Sequence, residues 1–139
     1  MPRRSSMDTP KISLVVVVFN MQREAARTLH SLSTDYQRNI SADDYEVIVV
    51  DNGSDPPLDI SVAQRLPGNF RFIRAASSSA SPASAANQGL AEARHDLIGV
   101  MIDGARIVTP GLLHFARHAA TLFERSVVAF WKTGPFAAF

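Results

Sequence analysis

The sequence YEVIVVDNGS at residues 45–54 decides the fold of this chain. Four consecutive β-branched residues, Val47 to Val50, run into an Asp-Asn-Gly-Ser sequence of turn-forming residues. A run of this kind predicts a strand that is buried on both faces, and such strands belong to parallel α/β sheets. Ligands of these sheets bind beyond the carboxyl ends of the strands. Asp51, directly after the run, is therefore the first candidate for a binding residue.

A second apolar run, ISLVVVVF at residues 12–19, predicts another doubly buried strand that ends at Asn20. Between the two strands, residues 21–32 predict an amphipathic helix, because apolar residues recur there at helical spacing. These residues are Ala25, Ala26, Leu29 and Leu32. A right-handed crossover through this helix makes the two strands parallel.

Further elements are predicted beyond residue 54. They are, in chain order, a short helix at 60–66, a strand at 70–74, a helix at 83–94, a buried strand at 97–102, a helix from 110 to 124 and a strand at 127–131. Composition alone would also fit a flexible linker at residues 75–86, which are mostly Ser and Ala. We favour the helix because Ser81 and Pro82 suit its cap and first position. Gly89 weakens this helix, and Leu90 is expected to face the core.

The last helix has a clear start signal, with Thr109 as the predicted cap and Pro110 at the first helical position. One face of this helix is apolar and is expected to pack on the core. Its members are Leu112, Leu113, Phe115, Ala116, Ala119 and Phe123.

At 139 residues, 46% hydrophobic and 19% charged, the chain has the composition of one globular domain. We expect a frayed tail at residues 1–10 and a folded region at residues 11–139. The net charge of +1 comes from scattered residues, which disfavours nucleic acid as a partner. Cysteine is absent, so disulfides and thiolate metal sites are excluded and a cytoplasmic location is expected. No apolar run reaches the roughly 18 residues of a membrane span.

Three predicted strand ends meet at one edge of the sheet: Phe19 with Asn20, Asp51 with its turn, and Asp103. An aromatic ring can stack on a base, one carboxylate can accept a hydrogen bond from a base or ribose, and another can lie near phosphate or metal. Together they predict a nucleotide cleft. Asp-Asn-Gly-Ser is also good turn chemistry by itself, so a structural role for Asp51 stays open.

Other common site motifs are missing from the sequence. The glycines never form Gly-x-Gly-x-x-Gly, and Gly-Lys-Ser/Thr does not occur, so dinucleotide and P-loop fingerprints are absent. His114 and His118 have the spacing of a metal-binding pair on a helix, but no third ligand lies near them in the sequence. We interpret them as part of a solvated helix face.

Four blocks of the sequence, in their order and spacing, resemble the successive blocks of family 2 glycosyltransferases of the GT-A fold. They are residues 12–20, residues 45–54, Ala86-Asn87-Gln88-Gly89-Leu90 and Met101-Ile102-Asp103. The resemblance covers about residues 11–128. It implies an α/β fold, a Rossmann-like three-layer α/β/α sandwich with a mainly parallel sheet. It also implies a truncated fold, in which the acceptor half lies beyond residue 139.

The resemblance also implies roles for single residues. Phe19 matches the position beside the nucleotide base, where the family usually has Tyr, and Asp51 matches the aspartate that contacts the base. Asn87 matches the asparagine that flanks the nucleotide pocket. Asp103 matches the first aspartate of the Asp-x-Asp motif, which in the family lies at the ribose and the metal-bound diphosphate.

Asn20 and Asn52, each next to one of these residues, belong to the same predicted nucleotide site. The sequence departs from the family at Ala105, where the family has the second aspartate and usually the direct metal ligand. Asp103 would then hold Mg²⁺ or Mn²⁺ with phosphate oxygens and water. Alternatively, Arg106 supplies positive charge to the diphosphate in place of the metal.

By this resemblance, the complete enzyme moves a sugar from a nucleoside diphosphate sugar to an acceptor hydroxyl with inversion. The acceptor is unknown, and the general base is expected outside this chain. A non-catalytic nucleotide-binding or assembly module with the same fold is the alternative. A small Rossmann-like methyltransferase is disfavoured because no Gly-rich loop follows the first strand. Apolar residues at 127–139 and an unfinished sheet predict a homo-oligomer.

Overall fold

The computed structural model describes residues 9–76, 80–102, 106–123, 125, 127 and 129. The strands are β1 (Ile12–Val18), β2 (Tyr45–Asp51), β3 (Phe70–Arg74) and β4 (Leu97–Met101). The helices are α1 (Gln22–Ser31), α2 (Ser61–Gln64), α3 (Ala83–Ala91) and α4 (Leu112–Ala119), with a short 3-10 helix at Ala42–Asp44. The strands form one sheet in the order β3-β2-β1-β4.

All strand pairs in this sheet are parallel, as the sequence predicts. At the end of β2, Asp51 pairs with Val18 on one side and with Arg74 on the other. Val16 pairs with Met101, the last residue of β4. Because the strands run in one direction, their carboxyl ends lie at one edge of the sheet, where ligands of such sheets bind. We call this the carboxyl edge and the opposite one the amino edge.

Helices cover both faces of the sheet and complete three α/β/α layers. On one face, Leu29 of α1 and Leu113 of α4 lie in an apolar cluster with Val16 and Val49. On the other face, Ala85 and Ala86 of α3 lie in a second cluster with alternate residues of β1 and β2. Every residue of these two strands is buried, which confirms the prediction that each is covered on both faces.

Gly89 lets α3 approach the sheet closely. A Cβ atom on this glycine would lie 2.4 Å from Cγ1 of Val15 and 3.0 Å from Cγ2 of Val50. From the sequence alone, Gly89 is expected to weaken this helix, since glycine has low helix propensity. Its position is instead explained by packing, because only a residue without a side chain fits between α3 and the two central strands.

The prediction of a buried strand at β4 is wrong for one of its two faces. Ile98 and Val100 are 40% and 49% exposed, while Leu97 and Met101 contact the core cluster on the opposite face. The reason is that α3 packs on β1 and β2, and among the described residues β4 forms the edge of the sheet. Leu90 of α3, expected in the core, is 37% exposed.

The last helix is shorter than predicted and its apolar face is only partly buried. It starts at Leu112 because residues 109–111 form a turn, in which the Leu112 N–H donates to the Thr109 carbonyl at 3.1 Å. It ends at Ala119 instead of residue 124. Leu113 is buried, but Phe115 is 64% exposed because two residues along a helix lead to its opposite side. Phe123 lies beyond the helix and is 68% exposed.

Other differences concern element ends and residues outside the described part. Strands β1 and β4 each end one residue earlier than predicted, and α3 ends at Ala91 instead of residue 94. Of the predicted strand 127–131, the described residues Val127 and Ala129 lie outside any strand. The rest of that strand is not among the described residues, and neither is residue 103. Among the described helices, none has the length and apolar character needed to span a membrane.

Candidate functional site

The loop after β2 is folded around the carboxylate of Asp51. Its Oδ1 atom accepts a hydrogen bond from the Ser54 N–H at 2.9 Å, and its Oδ2 atom accepts one from the Leu58 N–H at 2.9 Å. The Nη1 atom of Arg74 lies 3.2 Å from the same Oδ2 atom. The Asp51 side chain is 8% exposed. The Asp51 carboxylate therefore holds its own loop in place, whether or not it also binds a ligand.

Asp51 is held in its charged form. Burial alone raises the pKa of a carboxyl group, since desolvation penalises the charge. Here the hydrogen bonds from Leu58 and Ser54, together with the Arg74 guanidinium, outweigh that penalty and lower the pKa of Asp51 below its usual value. The carboxyl edge thus carries a buried negative charge that is already compensated.

The end of β1 is joined to this loop through Asn20. Its backbone N–H donates to Ser54 Oγ at 2.9 Å, and its side-chain Oδ1 accepts from the Asp55 N–H at 2.9 Å. Asn20 has a φ of 50°, in the left-handed region that Asn tolerates better than most residues. Phe19, just before it, is 51% exposed. An accessible aromatic residue therefore directly precedes a residue that is hydrogen-bonded to the polar loop.

Asn52 and Gln22 complete the connection between the two strand ends. Asn52 is 4% exposed, and its backbone N–H donates to the Val18 carbonyl at 2.8 Å. Gln22, at the start of α1, is hydrogen-bonded to the backbone of the loop at residues 56–59. We call residues 51–59 with these contacts the β2 loop.

Four of the residues named from the sequence lie together at the carboxyl edge: Phe19, Asn20, Asp51 and Asn52. Asn87 is exposed on α3. The next residue, Gln88, accepts a hydrogen bond from the Ala76 N–H at 3.2 Å, which ties α3 to the segment after β3. Arg106 is exposed. Asp103, the predicted metal ligand, and Ala105 lie outside the described residues.

The sequence reasoning missed Gln22 and Arg74. A signal existed for Arg74, because it ends a predicted strand that would lie parallel to the strand ending at Asp51. An opposite charge at an equivalent strand end is a natural partner for that carboxylate. No signal existed for Gln22, since its partners are backbone atoms of the β2 loop, more than thirty residues away.

Within the described part of the chain, no group of three or more His, Asp or Glu side chains is arranged to hold a metal ion. The rings of His114 and His118 lie 4.3 Å apart between centroids on α4. His114 Nδ1 is 3.2 Å from the Asn39 carbonyl oxygen.

The fold described above is that of GT-A glycosyltransferases, to judge from solved structures that are similar. TarS 1-349 from S. aureus superposes with a TM-score of 0.69 at 24% sequence identity, over 79% of this chain and 32% of that fragment. The same TarS fragment in complex with UDP-GlcNAc gives a TM-score of 0.66 at 22% identity, over 79% of this chain and 31% of that one.

A second organism provides a further similar structure. The mannosyltransferase PcManGT from Pyrobaculum calidifontis, in complex with GDP-Man and Mn²⁺, has a TM-score of 0.64 at 20% identity, over 88% of this chain and 35% of that one. The chain spans about a third of the length of these structures. At such identities the likeness establishes the fold, and the expected α/β GT-A architecture is confirmed.

Residues 13–121 match the family model described as glycosyl transferase family 2, so the chain belongs to this family. No curated protein sequence matches the chain. The family resemblance inferred from the four sequence blocks is thereby confirmed.

Proposed function

We propose that this chain is the nucleotide-sugar-binding part of a family 2 glycosyltransferase. The observation that carries the proposal is the joining of two strand ends at the carboxyl edge, where Asn20 and the β2 loop are hydrogen-bonded to each other beside the exposed ring of Phe19. A flat aromatic surface next to fixed polar groups is suited to a nucleotide base. TarS, with the same fold, was crystallised with UDP-GlcNAc and with UDP.

In this proposal the residues at the edge have separate tasks. Phe19 stacks on the base, and Asn20, Asn52 and Asn87 line the pocket. Asp51 holds the β2 loop with both carboxylate oxygens, and its predicted contact with the base would be made in addition to those bonds. The complete enzyme then transfers the sugar to an unknown acceptor hydroxyl with inversion. That step needs a general base, which we expect outside this chain, and stabilisation of the leaving diphosphate.

Charge stabilisation at the diphosphate has two candidate sources. PcManGT was crystallised with Mn²⁺, and Mg²⁺ takes one or two protein carboxylates together with phosphate oxygens, so Asp103 alone satisfies the minimum for a divalent cation. Arg106 is exposed and a guanidinium pairs well with phosphate. If a metal ion supplies the charge, Asp103→Asn should abolish the gain in nucleotide affinity from added Mn²⁺. If Arg106 supplies it, the affinity should be independent of Mn²⁺ and should fall in Arg106→Ala.

The proposal is tested by calorimetry with uridine, guanosine and thymidine diphosphates. We expect at least one of them to bind, and Phe19→Ala to weaken that binding about tenfold or more, because stacking of a base on an aromatic ring contributes about 1–3 kcal/mol. Phe115→Ala on α4 is the matched control, since that ring is also exposed and α4 is hydrogen-bonded through Arg117 to the Pro10 carbonyl oxygen, before the start of β1. Absence of binding by all three nucleotides would favour the alternative, a non-catalytic assembly module, which the loss of the second motif aspartate at Ala105 also supports.

We also propose that the chain self-associates along β4. Ile98, Val100 and Ile102 are 40%, 49% and 48% exposed, and in the described sheet β4 pairs with β1 alone. An apolar edge strand is a template for pairing with a second copy. Light scattering should therefore give a mass above that of one chain, and Val100→Lys should reduce it. A monodisperse monomer of the unaltered protein contradicts this proposal.

A further inference from the structure

We propose that Gln22 is a positioning residue of the nucleotide site, which holds the β2 loop in the conformation that binds. This inference rests on the proposed function, because it concerns the same pocket. Gln22 lies in the first turn of α1, directly after the β1 segment that carries Phe19 and Asn20. Its side chain reaches across to a loop that follows a different strand.

The Gln22 side chain uses both ends of its amide. Nε2 donates to the carbonyl oxygens of Pro56 and Pro57 at 2.8 and 2.7 Å, and Oε1 accepts from the Asp59 N–H at 3.0 Å. The amide orientation is determined by these partners, because the flipped form would place N–H against N–H and oxygen against two oxygens. One side chain therefore spans four residues of the loop.

The loop needs such a partner because of its prolines. Pro56 and Pro57 have no N–H groups, so the carbonyl oxygens are their backbone hydrogen-bonding groups. Nearby, Asn20 holds residues 54 and 55 through Ser54 Oγ and the Asp55 N–H. Gln22 continues this line of contacts to residue 59. Asn20 and Gln22 are thus hydrogen-bonded to the β2 loop along most of its length.

These hydrogen bonds matter for the position of the loop more than for the stability of the domain. All three Gln22 bonds are solvent-exposed, and exposed hydrogen bonds contribute little to global stability because water replaces them. Asp51 and the core strands stay in place without them. Loss of the Gln22 contacts should then loosen residues 56–59 and weaken nucleotide binding, while the protein stays folded.

The substitution Gln22→Glu separates positioning from general damage. At pH 7.5 it places a carboxylate oxygen against the carbonyls of Pro56 and Pro57, so we expect uridine diphosphate to bind about tenfold more weakly than to the unaltered protein. At pH 5 the protonated fraction regains one donor, and the difference in affinity should narrow to about threefold.

Gln64→Glu is the matched control, because this glutamine is exposed on α2 and adds the same charge outside the β2 loop. We expect it to bind uridine diphosphate like the unaltered protein at both pH values. A Gln22→Glu protein that binds with unaltered affinity at pH 7.5, or whose deficit is the same at pH 5, overturns the positioning role.

Hydrogen exchange without ligand tests Gln22 separately from the proposed function. The Asp59 amide should exchange about tenfold faster in Gln22→Leu than in the unaltered protein or in the control Gln64→Leu, because leucine has no oxygen to accept its hydrogen bond. If no nucleoside diphosphate binds the unaltered protein, the proposed function fails, and this exchange still shows whether Gln22 holds the loop. Equal exchange in all three proteins overturns the inference.

Discussion

Two buried carboxylates on β2 show how the two edges of one sheet differ. Glu46 lies near the amino edge and Asp51 at the carboxyl edge, and each is paired with an arginine of β3, Arg71 and Arg74 respectively. The pairs have similar chemistry, with nitrogen to oxygen distances of 3.0 and 3.2 Å. What differs is where the other partners come from and how much water reaches the pair.

The amino edge is sealed. Glu46 is fully buried, and its Oε1 accepts from Ser13 Oγ at 2.6 Å and from the Arg94 N–H at 2.9 Å. Arg71, with a side chain 22% exposed, donates to the other oxygen. Burial raises the pKa of Glu46, but the hydrogen bonds from Ser13 and Arg94 and the charge of Arg71 lower it below the usual value. These contacts join β1, β2, β3 and the segment before β4.

The carboxyl edge is open by comparison. The backbone donors to Asp51 come from the β2 loop itself, and Arg74, which also donates to the carboxylate, has a side chain that is 52% exposed. The contacts of Glu46 therefore join strands of the sheet to one another. The contacts of Asp51 instead fix the conformation of the β2 loop and leave polar groups facing solvent. The difference explains why the ligand is expected at Asp51 even though both carboxylates are buried and charged.

The largest effect on stability should follow from removing the buried carboxylate of Glu46 at the amino edge. Glu46→Ala leaves the buried Ser13 hydroxyl without its acceptor, removes the shorter of two hydrogen bonds of the Arg94 N–H and leaves Arg71 without this carboxylate. We therefore expect a loss of about 3 kcal/mol in the free energy of unfolding. Urea denaturation measures this. Glu46→Gln, which keeps an acceptor of the same size, should lose less than Glu46→Ala. A loss below about 1 kcal/mol in Glu46→Ala would show that the amino edge is not sealed as described.

A smaller loss of stability is expected at the open edge. Asp51→Ala removes the acceptor for Ser54 and Leu58, but water can reach the loop, so the free energy of unfolding should fall by about 1–2 kcal/mol. Nucleotide binding should be lost to a much greater degree than in Glu46→Gln, because the loop beside Phe19 is released. Equal binding by Asp51→Ala and the unaltered protein would contradict a role for this loop in the site.

Lowering the pH should reduce the stability contributed by both Glu46 and Asp51. The pKa values of Glu46 and Asp51 are lowered on folding, so each contributes stability that is complete above the unfolded-state values of about 4.3 and 3.9 and is lost as the pH falls through the folded-state values. Urea denaturation between pH 6 and pH 3 should show this decline. Glu46→Gln and Asp51→Asn should each flatten it, and an unchanged slope would contradict the ionised state assigned to that residue.

The smallest effect is expected for the exposed cation. Arg74→Lys keeps the positive charge near Asp51, and the pair it changes is screened by solvent. Among the described residues, the only other bond of the Arg74 guanidinium is a long one to the Ser54 carbonyl oxygen at 3.3 Å, so stability should change by about 0.5 kcal/mol or less. Arg71→Lys should cost more, because Arg71 is more buried and also bonds the Glu92 carbonyl oxygen. Equal changes in the melting temperature of the two variants would contradict the claim that the amino edge is less exposed to solvent than the carboxyl edge.

Much of this fold can be predicted from the sequence because the central strands are uniformly apolar. The runs that end at Val18 and Val50 require cover on both faces, and that requirement predicts a parallel α/β sheet. The same reasoning fails for β4. Ile98 and Val100 have the residue types of a buried strand, but their burial depends on which strands α3 covers, and no local pattern records that.

The candidate site was predictable to a similar degree. Phe19 and Asp51 could be named because turn-forming residues stop the apolar runs at one edge of the sheet. The contacts of Gln22 could not, since they join a side chain to backbone carbonyls of a loop whose path is set by tertiary structure. Arg74 is intermediate, because strand register pairs it with Asp51 once the sheet order is known.

The central claim, that the open edge binds the nucleotide, is tested most directly by amide chemical-shift mapping during titration with uridine, guanosine or thymidine diphosphate. We expect the amides of Asn20 and Asn52 to shift in proportion to the bound fraction, while those of Arg94 and His95 beside Glu46 stay unchanged. Shifts centred on Arg94 and His95, or no shifts at either edge with any of the three nucleotides, would contradict the claim.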